Sequence, residues 1–352
     1  MNKLFSERFK SARILNGFSL QDLADALGNK VSRQALHKYE KGEVIPDSDM
    51  INRLSKALKV QPDFFFRDVK IVLGDLEFRK LTKIPVKEQN KIVESTKDVL
   101  SRYLELEGII GIETEFKNPL EKFPIISSFE DIEKAALTVR EIWHLGLDPI
   151  YNLIELLEDN HIKIISVNSD DSFDGMQTWL NQTIPVIVIN RSNLKTADRI
   201  RFTVLHELGH LLLPVGNLAD KIKEKYCNRF AAAMLIPESA IQKELGFTRN
   251  KLFIQELGEL KKQYGISIQS IMYRCKDLNI ISENHLNQLI FIMVHNNWKI
   301  TEPIQYTGAE ESNRFSQLLF RALAEELISM NKAAVLNNQS LADFRKQFTS
   351  IQ

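Results

Sequence analysis

Two histidines and a glutamate stand close together in the stretch His206-Glu207-Leu208-Gly209-His210. On a helix, residues i and i+4 share a face with Cβ atoms about 5–6 Å apart, so both imidazoles can hold one zinc ion. Glu207 is then placed to take a proton from a water acidified by the metal. A chance match is the alternative, but apolar residues on both sides of the motif favour a buried helix. The spacing therefore predicts a metal centre able to hydrolyse a peptide bond.

A catalytic zinc site needs a third protein ligand and one open position. Glu224 is the best candidate, because it follows His210 by 14 residues and lies near the predicted start of the next helix. Cys227 is a weaker candidate, since an isolated cysteine on such a helix is usually a small buried side chain. His144 and His161 lie upstream and fit surface positions, or contacts to the ligands, better than ligation.

The elements that must position these residues can be located along the chain. Two helices are predicted, each followed by a proline, at about residues 196–213 and 220–236. Short apolar runs predict strands before them, at residues 162–167 and 185–189. Helical spacing continues from residue 246 onward. A second helix-turn-helix near Gly265 and ordinary amphipathic packing explain that spacing equally well, and both dimerisation and signal sensing remain possible roles.

The N-terminal segment has a different character. Residues 4–66 predict a string of short amphipathic helices, separated at Gly17, Gly28 and Gly42. Residues 1–70 carry 13 Lys and Arg against 9 Asp and Glu, whereas the whole chain carries 46 of each. A local surplus of positive charge is typical of a module that faces phosphates, so this segment is a candidate for nucleic-acid binding.

Length and composition limit the number of domains, the type of metal site and the cellular location that the protein can have. A chain of 352 residues exceeds what one hydrophobic core usually serves, so two or three domains are expected. Only two cysteines occur, which excludes a disulfide framework and a four-cysteine zinc site. The first residues lack the apolar core of a signal peptide, and the longest strongly apolar run, residues 289–294, is too short to span a bilayer. We therefore expect a cytoplasmic protein that does not engage a membrane.

The segments at residues 206–213 and 224–237 together resemble the ImmA/IrrE family of metallopeptidases. Three upstream runs extend the resemblance, which covers roughly residues 128–245: residues 173–176, 185–190 and 198–203. The family implies a zincin-like fold with Zn²⁺ held by His206, His210 and Glu224, and with Glu207 as the catalytic base. Cys227 stands where the family usually has alanine, which supports a structural role for that thiol.

The same resemblance implies a type of substrate. Such peptidases typically cut a repressor protein, so a transcriptional repressor is the expected partner. Zincins often align an extended substrate along an edge strand, and by position residues 185–189 are the candidate for that strand.

Residues 6–66 resemble XRE-type (lambda-repressor-like) helix-turn-helix domains, with Gly28 in the turn and residues 31–42 as the recognition helix. The resemblance implies that Leu36 faces the core and that six side chains face double-stranded DNA: Ser32, Arg33, Gln34, His37, Lys38 and Lys41. Arg and Gln can make bidentate contacts with bases, whereas Lys38 and Lys41 suit phosphates. Proteins of this type usually bind paired half-sites, so we expect a homodimer on a near-palindromic operator.

Two departures from the helix-turn-helix pattern affect these contacts. The family commonly has glutamine near Leu20, where it binds a phosphate, and Asn29-Lys30 lengthens the turn. Because the same fold also binds proteins, a small protein-interaction module is the alternative for this segment.

Taken together, the sequence predicts a multidomain, mainly α protein. The expected parts are an all-α helix-turn-helix domain at residues 1–70, a helical linker at 71–120, an α+β zincin-like domain at 121–245 and a helical region at 246–352. The favoured function is a DNA-binding transcriptional regulator fused to a zinc endopeptidase, with no organic cofactor. The alternatives are a non-enzymatic zinc-containing repressor and a toxin–antitoxin or phage-defence component. An intact Glu207 argues against a purely structural zinc, which needs no base.

Overall fold

The computed structural model describes residues 2–68, 71–74, 84–113, 115–169 and 173–349. The chain forms two compact units. The first comprises residues 1–73, 78–114 and 313–352, and the second comprises residues 74–77 and 115–312. Both units are mainly helical, and the second also contains a small sheet, so the predicted fold class is confirmed. The three predicted boundaries between the four parts stay predictions, and much of residues 69–84 lies outside the described residues.

The first unit begins with four α-helices and a short 3₁₀-helix: α1 (Asn2–Leu15), α2 (Leu20–Ala26), α3 (Arg33–Lys41), α4 (Ser48–Ala57) and the 3₁₀-helix (Pro62–Phe66). Side-chain oxygens of Ser19, Ser32 and Asp47 accept backbone N–H groups at the first turns of α2, α3 and α4. Gly42 ends α3 in the left-handed region at φ 70°, where a Cβ would be strained. These local signals divide the segment into short helices.

One compact core holds these short helices together. Its members are fully buried apolar side chains drawn from each helix: Phe5, Phe9, Ala12, Leu23, Leu36, Leu54, Leu58 and Phe65. The aromatic members contact one another, as the 5.5 Å between the ring centroids of Phe5 and Phe65 shows. Burial of these large side chains is the main source of stability for a domain of this size.

Four further helices complete the first unit: α5 (Val86–Ile110), α14 (Arg314–Ala324), α15 (Met330–Leu336) and α16 (Leu341–Thr349). They share an apolar core, in which the rings of Tyr103 and Phe315 lie 5.5 Å apart. Arg102 Nη1 donates to the carbonyl oxygen of Leu336 at 3.0 Å. The last helices of the chain therefore pack on the long helix α5.

Buried ion pairs also join α5 to the short helices. The side chain of Arg67 is only 3% exposed and contacts Asp98 at 3.1 Å and Glu105 at 3.0 Å. The partly exposed Lys332 reaches Glu105 at 2.6 Å, which links α15 to α5 through the same acid. Breaking a buried pair leaves an uncompensated charge, so this network favours one specific packing of the unit.

The second unit contains eight helices among its described residues: α6 (Phe129–Ile142), α7 (Leu153–Asp159), α8 (Ala197–Leu212), α9 (Asp220–Leu235), α10 (Glu238–Leu245), α11 (Ile254–Tyr264), α12 (Ile268–Asp277) and α13 (Glu283–His295). Its three strands are β1 (Lys163–Val167), β2 (Gly175–Leu180) and β3 (Ile184–Asn190). One large apolar core runs through the unit and includes α8 and α9.

The order of the strands corrects one prediction. The sheet has the order β1-β3-β2, with β1 parallel and β2 antiparallel to β3. Every residue of β3 is buried, so residues 185–189 form the central strand and not the predicted edge strand. The physical reason is that both edges of β3 are used in backbone pairing, which leaves β2 as the edge strand beside β3 on the antiparallel side.

Two arginines share one buried acid in this unit. Arg274 contacts both carboxylate oxygens of Glu133, at 2.5 and 2.7 Å, and Arg229 donates to the same carboxylate. Burial raises the pKa of Glu133, but the hydrogen bonds and charges of Arg274 and Arg229 outweigh it, so the pKa is lowered overall. This cluster ties α6, α9 and α12 together.

Candidate functional site

Helices α8 and α9 cross closely enough to bring their side chains to one point. A Cβ on Gly209 would lie 3.2 Å from Cys227 Cα and 3.3 Å from Cys227 Sγ, which is tighter than ordinary contact. Glycine at this position therefore lets the two helix backbones approach. Cys227 is buried at the crossing, 2% exposed, and is not a member of the candidate metal cluster.

The structure brings His206, His210 and Glu224 together. Nε2 of His206 lies 3.1 Å from Glu224 Oε2, and Nε2 of His210 lies 3.3 Å from Glu224 Oε1. The two Nε2 atoms are 3.2 Å apart, and one donor atom from each residue lies within 4.8 Å of the others. The two other histidines considered from the sequence, His144 and His161, are not part of this group.

The distances between these donor atoms match the geometry of a zinc site. Tetrahedral zinc with nitrogen and oxygen ligands at about 2.0–2.1 Å holds neighbouring ligand atoms about 3.3 Å apart. The donor atoms of His206, His210 and Glu224 show nearly this spacing before any ion is considered. Two imidazoles and one carboxylate are also a ligand set typical of a catalytic zinc with an open position. The residues present therefore fit the ion.

Asn228 fixes the orientation of one histidine, a role that the sequence analysis missed. Its Oδ1 accepts from Nδ1 of His206 at 2.9 Å. A proton on Nδ1 leaves the lone pair of Nε2 pointing toward the metal cluster, so the amide selects the tautomer needed for ligation. The sequence does contain a signal for this role: Asn228 follows Glu224 by one helical turn, so both side chains lie on the same face of the helix.

We expect Asn228→Ala to weaken zinc binding by about 10–100-fold, the effect typical of losing a residue that orients a metal ligand. Competition with a chromophoric chelator measures this affinity. Asn228→Asp keeps an oxygen acceptor at the same place and serves as the matched control, with affinity close to that of the unmodified chain. Unchanged affinity in Asn228→Ala would mean that Asn228 does not position His206.

Glu207 lies on the buried side of the motif, against strand β2. The residue is 2% exposed. A Cβ on Gly175 would stand 3.2 Å from Glu207 Cγ and 2.7 Å from Thr203 Cγ2, so only glycine fits there without displacing α8. Gly175 is thus a second site residue that the sequence analysis did not single out. Gly175 could have been identified from the sequence, because residues 173–176 are one of the segments that resemble the ImmA/IrrE family.

The pairing of β2 with β3 determines which backbone N–H and C=O groups of β2 point away from β3, on the free edge of the sheet. Asn190 N–H donates to the carbonyl oxygen of Asp174, which makes this pair a hydrogen-bonded one. Because such pairs alternate along an antiparallel ladder, the N–H and C=O groups of Gly175, Gln177 and Trp179 point away from β3. At Trp179 the carbonyl oxygen accepts from Gly74 N–H at 2.7 Å.

The six residues predicted to contact DNA all belong to α3 or its cap, and all six are exposed: Ser32, Arg33, Gln34, His37, Lys38 and Lys41. Leu36 is fully buried on the opposite face, as predicted. Ser32 has a structural task, since its hydroxyl oxygen accepts from Ala35 N–H at 3.2 Å and caps the helix. The structure therefore presents a polar helix face whose first residue also stabilises that helix.

Comparison with known proteins agrees with this division into a helix-turn-helix fold and a metal site. A family model described as a helix-turn-helix matches residues 9–65, and one described as an IrrE N-terminal-like domain, of a peptidase family, matches residues 158–276. The fold and site define a DNA-binding regulator that carries a metallopeptidase-type domain. The chain belongs to the HTH-type transcriptional regulators and carries an ImmA/IrrE-type domain.

Three curated relatives match parts of the chain. The SPbeta prophage-derived uncharacterized HTH-type transcriptional regulator YonR of Bacillus subtilis is 38% identical over 80 residues, which cover 21% of this chain and 72% of the relative. An uncharacterized HTH-type transcriptional regulator of Sinorhizobium fredii is 37% identical over 62 residues, covering 18% of this chain and 42% of the relative. Glutamyl-tRNA reductase of Saccharolobus solfataricus is 29% identical over 159 residues, covering 42% of this chain and 34% of the reductase.

Two of the three relatives match this chain over less than half of their own length, so the activities in their names are not assigned to this chain.

No helix within the described residues is both long enough and apolar enough to cross a membrane.

Proposed function

We propose that the chain is a transcriptional regulator whose second unit is a zinc-dependent endopeptidase acting on another regulatory protein, such as a repressor. The observation that carries the proposal is the cluster of His206, His210 and Glu224 at zinc-compatible spacing, with Glu207 adjacent in sequence. The match to an IrrE N-terminal-like domain supports it. In this proposal residues 1–70 bind DNA, residues 71–120 form a helical linker and residues 121–245 form the peptidase, while no role is assigned to the helical region at 246–352.

The proposed chemistry assigns one task to each side chain. His206, His210 and Glu224 would hold Zn²⁺, which as a bound Lewis acid polarises the scissile carbonyl and lowers the pKa of water. Glu207 Oε accepts the proton of the attacking water and later delivers it to the leaving amine. Asn228 keeps His206 in the correct tautomer, and Gly175 allows the Glu207 side chain to pack against β2.

The substrate backbone would lie along β2. Outward-facing groups of Gly175 and Gln177 can pair with an extended peptide by strand addition, which holds the chain without regard to its side chains. The close approach of the Gly175 backbone to the Glu207 side chain supports this assignment, because it brings the edge next to the proposed base. We therefore propose β2 as the substrate-binding edge, in place of the strand expected from the sequence.

The proposed activity can be tested with the regulators encoded beside the gene. Each would be incubated with the zinc-loaded chain, and the products identified by mass spectrometry. Cleavage at one defined bond, absent after chelation, supports the endopeptidase. No cleavage of any neighbouring regulator, together with tight zinc binding, would favour the non-enzymatic zinc-containing repressor.

The exposed face of α3 is proposed to read an operator. We expect Arg33→Ala to relax specificity at one base pair, at a cost of about 1–3 kcal/mol. Lys41→Ala should instead weaken binding to all sequences alike and reduce the salt dependence, because a phosphate contact carries no sequence information. Salt-dependent titrations with the upstream region of the gene and with random DNA measure both effects.

Two outcomes of those titrations bear on the assignment. A near-palindromic site bound by two chains would support the proposed homodimer. Binding to the upstream region no tighter than to random DNA would contradict operator recognition, and would leave residues 1–70 as a protein-docking module.

A further inference from the structure

We propose that the second unit selects acidic substrate segments through a cationic pocket beside the metal cluster, centred on Lys225. This inference rests on the proposed peptidase function and specifies its substrate class. The pocket is a cavity of about 620 Å³ lined mainly by α9 and α12, with Phe129 from the start of α6 and Phe202 from α8 also in its lining. All of its lining residues belong to the second unit.

The pocket lies within reach of a peptide at the metal cluster. Asn228 lines it, and the amide oxygen of the same residue accepts from His206 Nδ1 at 2.9 Å. Lys225, also in the lining, directly follows Glu224 on α9. Phe202 lies one turn before His206 on α8 and forms part of the wall. A side chain next to the scissile bond can therefore enter this cavity.

The charges of the lining favour an anion. Four cations line the cavity, Lys225, Arg229, Arg274 and Lys276, against one acid, Asp277. Nearby acids offset three of these cations: Glu133 binds both arginines, Asp277 contacts Arg229 at 3.4 Å, and Glu283 contacts Lys276 at 3.4 Å. Lys225 makes no ion pair with any described residue, and it supplies the excess positive charge.

The walls of the cavity increase the effect of that charge. Phe129, Phe202 and Tyr273 contribute aromatic surface, and the Arg229 guanidinium lies 5.8 Å from the Phe129 ring centroid. An apolar wall lowers the local dielectric, so the attraction between an ammonium group and a carboxylate weakens less than it would in open water. The aromatic faces also accept the methylene groups of a glutamate side chain.

A second cavity continues the positive surface past Phe202. It measures about 820 Å³ and shares Phe202 and Ser270 with the first. Among its lining residues Arg199 pairs with Asp174, and the buried Lys261 pairs with Asp198 and Glu302, whereas Lys195 and Lys299 make no ion pair with any described residue. The positive charge available to a ligand in this cavity therefore comes from Lys195 and Lys299. An acidic segment, more than a single acidic residue, fits both cavities.

The test uses peptides of identical sequence except for one residue, Glu, Gln or Lys, next to a central Phe–Ala bond. Cleavage by the zinc-loaded full-length chain is followed by mass spectrometry. Binding to the zinc-loaded Glu207→Gln variant is measured separately by fluorescence anisotropy with an uncharged dye. We expect the Glu peptide to be preferred over the Gln peptide by about three- to fivefold, the size of one partly exposed ion pair. Higher ionic strength should reduce the preference.

Charge reversal identifies the residue responsible. Lys225→Glu should abolish the preference for Glu or reverse it in favour of Lys. Lys223→Glu is the matched control, because Lys223 also flanks Glu224 and undergoes the same charge change but does not line the cavity. The control should keep the preference of the unmodified chain.

The outcomes separate the two proposals. Equal binding of the three peptides, no measurable binding, or an equal change in both lysine variants would overturn the acidic pocket. Cleavage without a charge preference would overturn the pocket and support the peptidase. Preferential binding of the Glu peptide that depends on Lys225, without cleavage of any peptide, would support the pocket and contradict the peptidase.

Discussion

Replacing Glu207 by glutamine is expected to lower peptide cleavage by about 10²–10⁴-fold, the contribution of a general base. The substitution keeps the size of the side chain and its packing against Gly175. It removes only the ability to accept and return a proton. Zinc content should stay at one ion per chain, because Glu207 is not a member of the cluster formed by His206, His210 and Glu224. Rates on a verified substrate and metal analysis of the same preparation measure the two effects together.

Glu141→Gln provides the control for this experiment. Glu141 is an exposed residue near the end of α6, so the same chemical change is made in the same unit away from the motif. Its activity should equal that of the unmodified chain. Full activity in Glu207→Gln, with folding and zinc content unchanged, would exclude the proposed role of Glu207 as the base.

Removing zinc is expected to destabilise the second unit by several kcal/mol. An ion that binds only the folded state stabilises it by about 4 kcal/mol when present at about 1,000 times its dissociation constant. Thermal unfolding with excess zinc and with a chelator measures the difference. In His210→Ala this zinc-dependent difference should disappear, since one of three ligands is lost. His161→Asn is the control, because asparagine tolerates the left-handed backbone found at His161, with φ 62°.

The identity of the third ligand follows from a second pair of variants. Glu224→Ala should lose the zinc-dependent stabilisation, whereas Cys227→Ala should keep it, because the thiol lies at the helix crossing with Gly209. The opposite result, loss in Cys227→Ala and retention in Glu224→Ala, would require a different ligand set.

Some parts of the fold could be predicted because their signals are local. The spacing of His206 and His210 defines one helical face wherever that helix packs. The burial of Leu36 follows from the short amphipathic pattern of α3 and its resemblance to a recognition helix. Cys227 could be set aside as a ligand because small apolar side chains suit helix crossings. In each case the information lies within a few residues of the feature.

Other parts depended on partners that are distant in sequence. The apolar run of β3 predicts a strand, but its place in the sheet depends on β1 and β2, which pair with its two edges. A nearly continuous apolar strand is more typical of a buried central position, and this signal could have excluded the edge assignment. Likewise, the amphipathic spacing of residues 314–349 indicates an apolar face without indicating that α5 covers it.

The contact between the last helices and α5 has a consequence for the order in which the protein is made. Domains fold as the chain leaves the ribosome, with N-terminal segments first. The core shared by Tyr103, Leu106, Leu318 and Phe344 cannot form until residue 344 has been synthesised, after the whole second unit. Nascent chains would therefore expose the apolar face of α5 throughout synthesis of the metal-binding unit. The unit that contains the helix-turn-helix is started first and completed last.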